Sequence, residues 1–371
     1  MVIGAGLLGL AAGSALADAG VDALVLEQRR VGHTRSGSHG PSRIFRLGYE
    51  DAALVRMALL ARDEWRLLEE RSGTGLLTTT GQLDLGAGLD EVSGAMRSGG
   101  APVEELAPGA VHERWPGVAW NGPGLWEPES GVLAAERCLE AVRSCSGADL
   151  REDRRVVAIT DLGRRVTVDT ESETISCDVA VLCAGAWNAP LAAAAGVALD
   201  VRPSLEQVAY FRGRPGHDPL DLPIFVERSP LSPYGLPTHA TETYKVSFHR
   251  HHRQTGGPEG GQRRPTVDPD AVEMDPDPRV GADLATVVER LLPGIDPTPV
   301  GSERCFYDNS PDGAFIVDRV GRIVVGAGTS GHGFKFGPLW GRMLAALALG
   351  SESPVPLAQF RFGSRLLSGA T

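Results

Sequence analysis

Apolar residues open the chain as a short continuous run, Met1–Ile3, spread at helical spacing over "LLGLAAGSALADAG", and close up again in "DALVLEQ", which ends near Glu27. That succession predicts a buried strand, a helix and a second buried strand. A charged helix follows from about Asp51 to Arg71. "GLLTTTGQLDLG" alternates as a strand does, and "PGLWEPESGVLAAERCLEAV" reads as a loop running into a helix. Residues 154–181 read as a hairpin or meander that leads into a buried strand, ending in "CAGAW". Residues 200–250 are strand-rich and more polar, the composition of a second, sheet-based domain. Residues 253–270 form a Gly/Pro-rich loop. From "FIVD" onward the pattern gives strand, turn, strand, glycine turn and helix, with Lys335 at the helix N-terminus. No internal repeat is evident.

At 371 residues the chain exceeds what one core usually serves, so two domains, or one with an insertion, are expected. Its net charge of −11 provides no basic face for nucleic acid or an anionic membrane, which leaves a small-molecule ligand. Five cysteines without CxxC or zinc spacing read as those of a reduced, cytoplasmic protein, and no metal site is expected. The apolar opening lacks a basic leader and carries glycines at a motif spacing, so it is read as fold and not as an export signal. No apolar stretch reaches the roughly 18 residues of a spanning helix.

The chemistry begins at Gly4, Gly6 and Gly9, which fall between the first strand and the helix, with Glu27 lying 18 residues beyond Gly9. Glycines allow a tight turn and close backbone approach to a pyrophosphate, the helix N-terminus faces the phosphates, and the acid takes ribose hydroxyls. The pattern marks an adenine dinucleotide site and does not by itself separate NAD from FAD. Ala184 and Gly185 in "CAGAW" provide a second place where backbone can approach a ligand. In this Arg-biased chain only two lysines occur, Lys245 and Lys335. Each marks a place where a compact ammonium serves better than a planar guanidinium.

With GAGLLG and Glu27, "GSHGPSRIFR" (37–46), "EPESGVL" (127–133), "CAGAW" (183–187), "YGLP" (234–237) with Lys245 eleven residues beyond Tyr234, "CFY" (305–307) and "GTSGHGFKF" in order, the chain resembles the monomeric sarcosine oxidase and N-methyltryptophan oxidase group of FAD-dependent amine oxidases, within the D-amino-acid oxidase superfamily. The resemblance runs nearly end to end. It implies an α/β fold: a Rossmann-like FAD-binding domain (1–77, 137–199, 305–371) with an inserted α+β substrate domain on an antiparallel sheet (78–136, 200–304). It implies FAD joined covalently to Cys305, and a substrate carboxylate held by Arg46 and Lys335. It also implies dioxygen activated by Lys245, and further active-site positions at His39, Arg43, Tyr234, His249 and Tyr307. Trp187, Gly331, Gly333 and Phe334 complete the cofactor-binding set, with backbone N–H groups of "SGHGF" turned to the flavin.

The implied reaction oxidises a secondary-amine amino acid to an imine and reduces dioxygen to hydrogen peroxide in a monomeric enzyme. Two stretches depart from the family pattern, Gly40-Pro41-Ser42 and "GLPTHATETY" with His239 and Glu242. Both are expected to reshape the cavity or its entrance, so the substrate side chain stays open between N-methyl and cyclic imino acids. A flavin dehydrogenase, or an imino-acid desaturase or aromatase of a secondary-metabolite pathway, is the alternative on the same scaffold.

Overall fold

In a computed structural model, residues 1–249 and 266–361 are described. The opening pattern forms as read: strand Val2–Ile3, helix Leu7–Asp18, strand Leu24–Leu26. Val2–Ile3 is short because only its two residues cross the middle of a six-stranded sheet. It pairs in parallel with Leu24–Leu26 on one side and Ala180–Leu182 on the other. Ile323–Ala327 and Asp149–Arg151 extend the parallel set, and Ile316–Val320 closes one edge antiparallel. Strands buried on both faces need apolar side chains throughout, and Val2, Ile3, Val25, Leu26, Val181 and Leu182 meet that demand. The meander forms too, as Val156–Asp161, Val166–Thr170 and Thr174–Cys177.

The strand-rich region builds an eight-stranded sheet in the order Gly301–Asn309, Arg202–Phe211, Thr243–Phe248, Pro233–Thr238, Ile224–Arg228, Gln82–Gly86, Gly124–Glu127, Glu104–Leu106. Every pairing is antiparallel except Ile224–Arg228 with Gln82–Gly86, where two segments far apart in the chain meet in parallel without a hairpin between them. Beneath this sheet lies helix Pro278–Leu291, capped by Asp277 and started by its proline. It buries Val280, Leu284, Val287, Val288 and Leu291 against a core containing Phe211, Phe225 and Tyr244.

The predicted loop before helix Ala135–Cys145 instead holds two strands, Gly124–Glu127 and Gly131–Ala134, with only Pro128–Ser130 between them as the turn. Its polar residues misled because Glu127 is an internal carboxylate. Glu127 Oε2 accepts from Leu47 N (3.2 Å), Gly48 N (3.0 Å) and Ser130 Oγ (2.5 Å). The arginine-rich stretch 29–47, whose glycines and serines read as a loop, holds a strand, Ser42–Phe45, paired with Gly131–Ala134. "GLLTTTGQLDLG" breaks at Gly81 into Leu77–Thr79 and Gln82–Gly86, which enter different sheets. Of the Gly/Pro-rich loop 253–270, residues 253–265 lie outside the described residues. Its end is held where Arg155 pairs with Asp270 at 2.6 Å.

The charged helix spans Ala52–Ser72, with Asp51 accepting from Ala53 N as its cap. From it Trp65, fully buried, donates Nε1–H to the carbonyl of Lys335 at 2.6 Å and stacks on Phe334. Truncation at this position removes a large core side chain and a buried hydrogen bond together. Trp65→Ala should therefore cost about 3–5 kcal/mol, read as a lower urea midpoint at unchanged m-value. A loss below about 1 kcal/mol would show that the site collapses without strain.

Candidate active site

Gly4 leaves the first strand at φ +94, and a Cβ built on Gly9 would lie 1.8 Å from the Gly4 carbonyl oxygen. Only glycine at position 9 lets the helix start this close to the strand. Across the turn Glu27 is buried, its Oε2 accepting from Ala5 N (2.8 Å) and its Oε1 from Arg29 N (3.0 Å). Burial alone would raise its pKa; His33 and the two backbone amides outweigh burial and hold it below the usual carboxylate range. Ser38 Oγ accepts from Leu7 N (3.1 Å) at the mouth of the helix.

A cavity of about 1660 Å³ extends from this turn toward the eight-stranded sheet. It is lined by every candidate site residue the sequence singled out except Gly9, which sits behind the turn as packing. Of the two stretches expected to reshape it, Ser42 and Leu236 line it, whereas Gly40 and Pro41 do not, and His239 and Glu242 are exposed in the connection between Pro233–Thr238 and Thr243–Phe248, away from the lining. Ala184, Gly185 (φ +53) and Trp187 form its second backbone wall, with Trp187 Nε1 donating to Asp270 Oδ1 at 3.0 Å.

Two pairs of cations face the cavity. In the first, Arg43 Nη1 (2.8 Å) and Lys245 Nζ (3.0 Å) both donate to the carbonyl of Ser42. Arg43 also donates to the carbonyls of Gly37 (3.0 Å) and His39 (2.6 Å) and lies over the Phe334 ring. Lys245 is buried, and burial, reinforced by Arg43, lowers its pKa to about 7 against the pull of Cys305 and Glu303. In the second pair, Lys335 Nζ donates to Tyr49 Oη and to the His332 carbonyl, both at 2.8 Å. Arg46 stacks over the same Tyr49 ring, 4.6 Å from its centroid, and donates to the carbonyl of Gly48 at 3.0 Å. Burial, then Arg46, drives the Lys335 pKa well below the usual lysine value. Among the described residues none of these four cations has a carboxylate within ion-pair distance; their hydrogen-bond partners are neutral oxygens. The arrangement can take up an anion.

Tyr234 and Tyr307 meet hydroxyl to hydroxyl at 3.5 Å, and burial keeps both phenols protonated. Any side chain at Gly331 would strike the Tyr307 ring, since its Cβ would fall 2.0 Å from that ring. Gly333 begins the tight turn Phe334–Phe336, which carries Lys335 into helix Gly337–Leu349. His249 lines the cavity, its amide held by the Ser232 carbonyl (2.9 Å). His39 is buried, its Nδ1 donating to the Ser36 carbonyl at 2.7 Å; burial lowers its pKa, so it is held neutral. Cys305 lies opposite Glu206 on Gly301–Asn309. Burial raises its thiol pKa, and Arg43 and Lys245 oppose that rise without cancelling it.

Sequence reasoning missed Tyr49, His332 and Glu303. Tyr49 connects both clamp cations, and its hydroxyl reaches His332 Nδ1 at 3.5 Å while His332 Nε2 donates to the Gly313 carbonyl at 3.2 Å. Its signal was an aromatic three residues beyond Arg46. Glu303, which accepts from Tyr210 Oη (3.1 Å), was hidden two residues before Cys305 on the same strand.

Residues 1–347 match the family described as DAO, FAD dependent oxidoreductase. The chain belongs to this family. Monomeric sarcosine oxidase of Bacillus sp. (strain B-0618) is 29% identical, with 97% of this chain and 94% of that protein covered. Peroxisomal sarcosine oxidase of Homo sapiens is 32% identical over the same shares, and N-methyl-L-tryptophan oxidase of Salmonella dublin is 30% identical over 97% of each. Among solved structures, NikD, an unusual amino acid oxidase essential for nikkomycin biosynthesis, shares the fold with a TM-score of 0.83 at 23% identity, covering 97% of this chain and 96% of its own. L-proline dehydrogenase from P. horikoshii does so with a TM-score of 0.84 at 20% identity, over 99% and 97%.

The residues present fit the FAD of the DAO family. The Gly4–Gly9 turn leaves a side-chain-free cradle before a helix N-terminus, Glu27 lies at the end of the second strand, and the cavity exceeds the roughly 300–1,000 Å³ of single-ligand pockets. Gly9→Ala would press a methyl group into the Gly4 carbonyl, so the purified variant should be folded but colourless, with little FAD released on denaturation. Flavin content equal to wild type would contradict this role.

Proposed function

We propose that this chain oxidises the C–N bond of a secondary-amine amino acid, N-methyl or cyclic, to an imine with FAD, and passes the electrons to dioxygen. The observation that carries the reading is the set of four cavity cations whose partners are neutral oxygens. A buried cation without a counter-ion is costly, and a bound amino-acid carboxylate would compensate it. The full-length likeness to sarcosine and N-methyltryptophan oxidases supports a secondary amine.

Bound FAD would supply the two-electron acceptor for the C–H bond next to nitrogen and, in turn, the donor that turns dioxygen into hydrogen peroxide. Arg46 and Lys335 hold the substrate carboxylate, which fixes the reacting carbon, and orientation of this kind is the main catalytic contribution open to the protein. Tyr234 and Tyr307 wall the substrate, while His39, held neutral, and His249 border the amine. Arg43 and Lys245 keep positive charge beside the acceptor, and Lys245 serves dioxygen. Cys305 carries the cofactor covalently, and the two cations nearest it favour the thiolate such a bond needs. Residues 1–77, 137–199 and 305–371 serve the cofactor, 78–136 and 200–304 the substrate. The enzyme works as a cytoplasmic monomer.

Acid precipitation tests the covalent bond: colour should stay in the wild-type pellet and leave it in Cys305→Ala. Colour that leaves the wild-type pellet would remove Cys305 from this role.

Anaerobic mixing with N-methyl and cyclic amino acids, followed by air, tests the reaction. Lys245→Met should still be bleached by substrate but regain its colour about a hundredfold more slowly. The ammonium is charged below its pKa of about 7 and neutral above it. A neighbouring anion can only raise that value, so wild-type reoxidation should slow as pH rises through about 7 or higher, and the variant should show no such step. Unchanged reoxidation in Lys245→Met would sink the assignment.

A further inference from the structure

Beyond the carboxylate clamp the same cavity continues toward solvent past Glu50 and Arg228. Arg228 projects from the end of strand Ile224–Arg228, its side chain 14% exposed. Its Nε donates to Asp84 Oδ1 at 2.9 Å, and its Nη1 to Glu50 Oε1. Nη2 makes no hydrogen bond among the described residues, nor does Glu50 Oε2. The pair therefore presents an open donor beside an open acceptor.

This pair is joined to the clamp. Asp84 Oδ2 accepts from Gln82 Nε2 (2.9 Å), which also reaches Glu127 Oε1 (3.2 Å). Glu127 in turn holds the amides of Leu47 and Gly48, and the Gly48 carbonyl receives Arg46. Burial, then Asp84, raises the Glu127 pKa well above the usual range, so Glu127 holds a proton. Burial would raise Asp84 as well, but its hydrogen bond with Glu127 and the nearby Arg228 and Arg46 keep it ionised. Arg228 is thus already matched by one buried carboxylate and one, Glu50, that is 58% exposed at the mouth.

We propose that Arg228 and Glu50 bind the far end of the substrate side chain, and that this end is an uncharged group with acceptor and donor side by side, a carboxamide or lactam. The proposal rests on the amino-acid oxidation reading above. A carboxylate there would meet Asp84 and Glu50 as like charges. A cation would meet Arg228. An apolar end would cover Nη2 without replacing its water, which is unfavourable for a charged donor. A carboxamide gives its oxygen to Nη2 and its N–H to Glu50.

The test titrates the flavin absorbance of the anaerobic holoenzyme with three N-methyl amino acids of similar length, those with glutamine, glutamate and homoleucine side chains. It records apparent Kd and bleaching for each. The glutamine compound should bind tighter than the homoleucine isostere by about tenfold, as one hydrogen bond to a charged group provides. It should also bind tighter than the glutamate compound. Arg228→Lys keeps a positive charge beside Asp84 but loses the fork, and should shrink the glutamine-to-homoleucine ratio to within about threefold. Glu50→Gln, at an exposed position, should reduce the ratio in part.

Equal affinities in wild type, tightest binding of the glutamate compound, or a ratio that survives Arg228→Lys would each overturn the proposal. Binding without bleaching by any of the three would instead contradict the oxidation reading, while the affinity ratio still decides the role of Arg228. No binding of any compound overturns both.

Discussion

Everything at this site depends on positive charge, buried at Lys245 and Lys335 and half-buried at Arg43 and Arg46, held by neutral oxygens. Arg43 and Lys245 share the carbonyl of Ser42, while Arg46 and Lys335 share Tyr49. Such groups are stable in a core only where dipoles replace water or where the charge is given up. The fold uses both means: carbonyls surround Arg43, and Lys245 and Lys335 have depressed pKa values. The nearest buried acid behind the clamp, Glu127, is protonated and spends its oxygens on the backbone of Leu47 and Gly48. An anionic ligand is thus the compensating charge that the protein itself withholds.

The two sheets make this possible by bringing distant segments to one cavity. Arg43 arrives on a short strand from the N-terminal stretch, Lys245 on Thr243–Phe248, Cys305 and Tyr307 on Gly301–Asn309, and Lys335 on the turn before the last helix. That turn is held from behind by Trp65, which grips the Lys335 carbonyl. The parallel pairing of Ile224–Arg228 with Gln82–Gly86 sets Arg228 near Asp84 and so extends the polar network to the cavity mouth.

Much of this was readable from sequence where the signal was local. The glycine turn with Glu27 specified its own strand, helix and strand, and the family likeness gathered eighteen cavity-lining residues that structure indeed brings together. Where polarity stood in for exposure, the reading failed: Gly124–Glu127 and Gly131–Ala134 passed for loop around the true turn Pro128–Ser130, because nothing in one dimension shows that Glu127 faces inward onto Gly48. Helix Pro278–Leu291 passed unread although "DP" before apolar residues at 280, 284, 287, 288 and 291 is a helix signal. Pairings such as Arg228 with Asp84, 144 residues apart, leave no local trace.

The central claim is that the cation clamp reads a carboxylate beside an oxidisable secondary amine. The most direct measurement is anaerobic bleaching of the purified holoenzyme by an N-methyl or cyclic amino acid, compared with its methyl ester and its decarboxylated amine. The account requires rapid bleaching by the free acid and rates at least a hundredfold lower for the other two. Equal bleaching by ester or amine would contradict it, since the four cations would then be holding something other than the substrate.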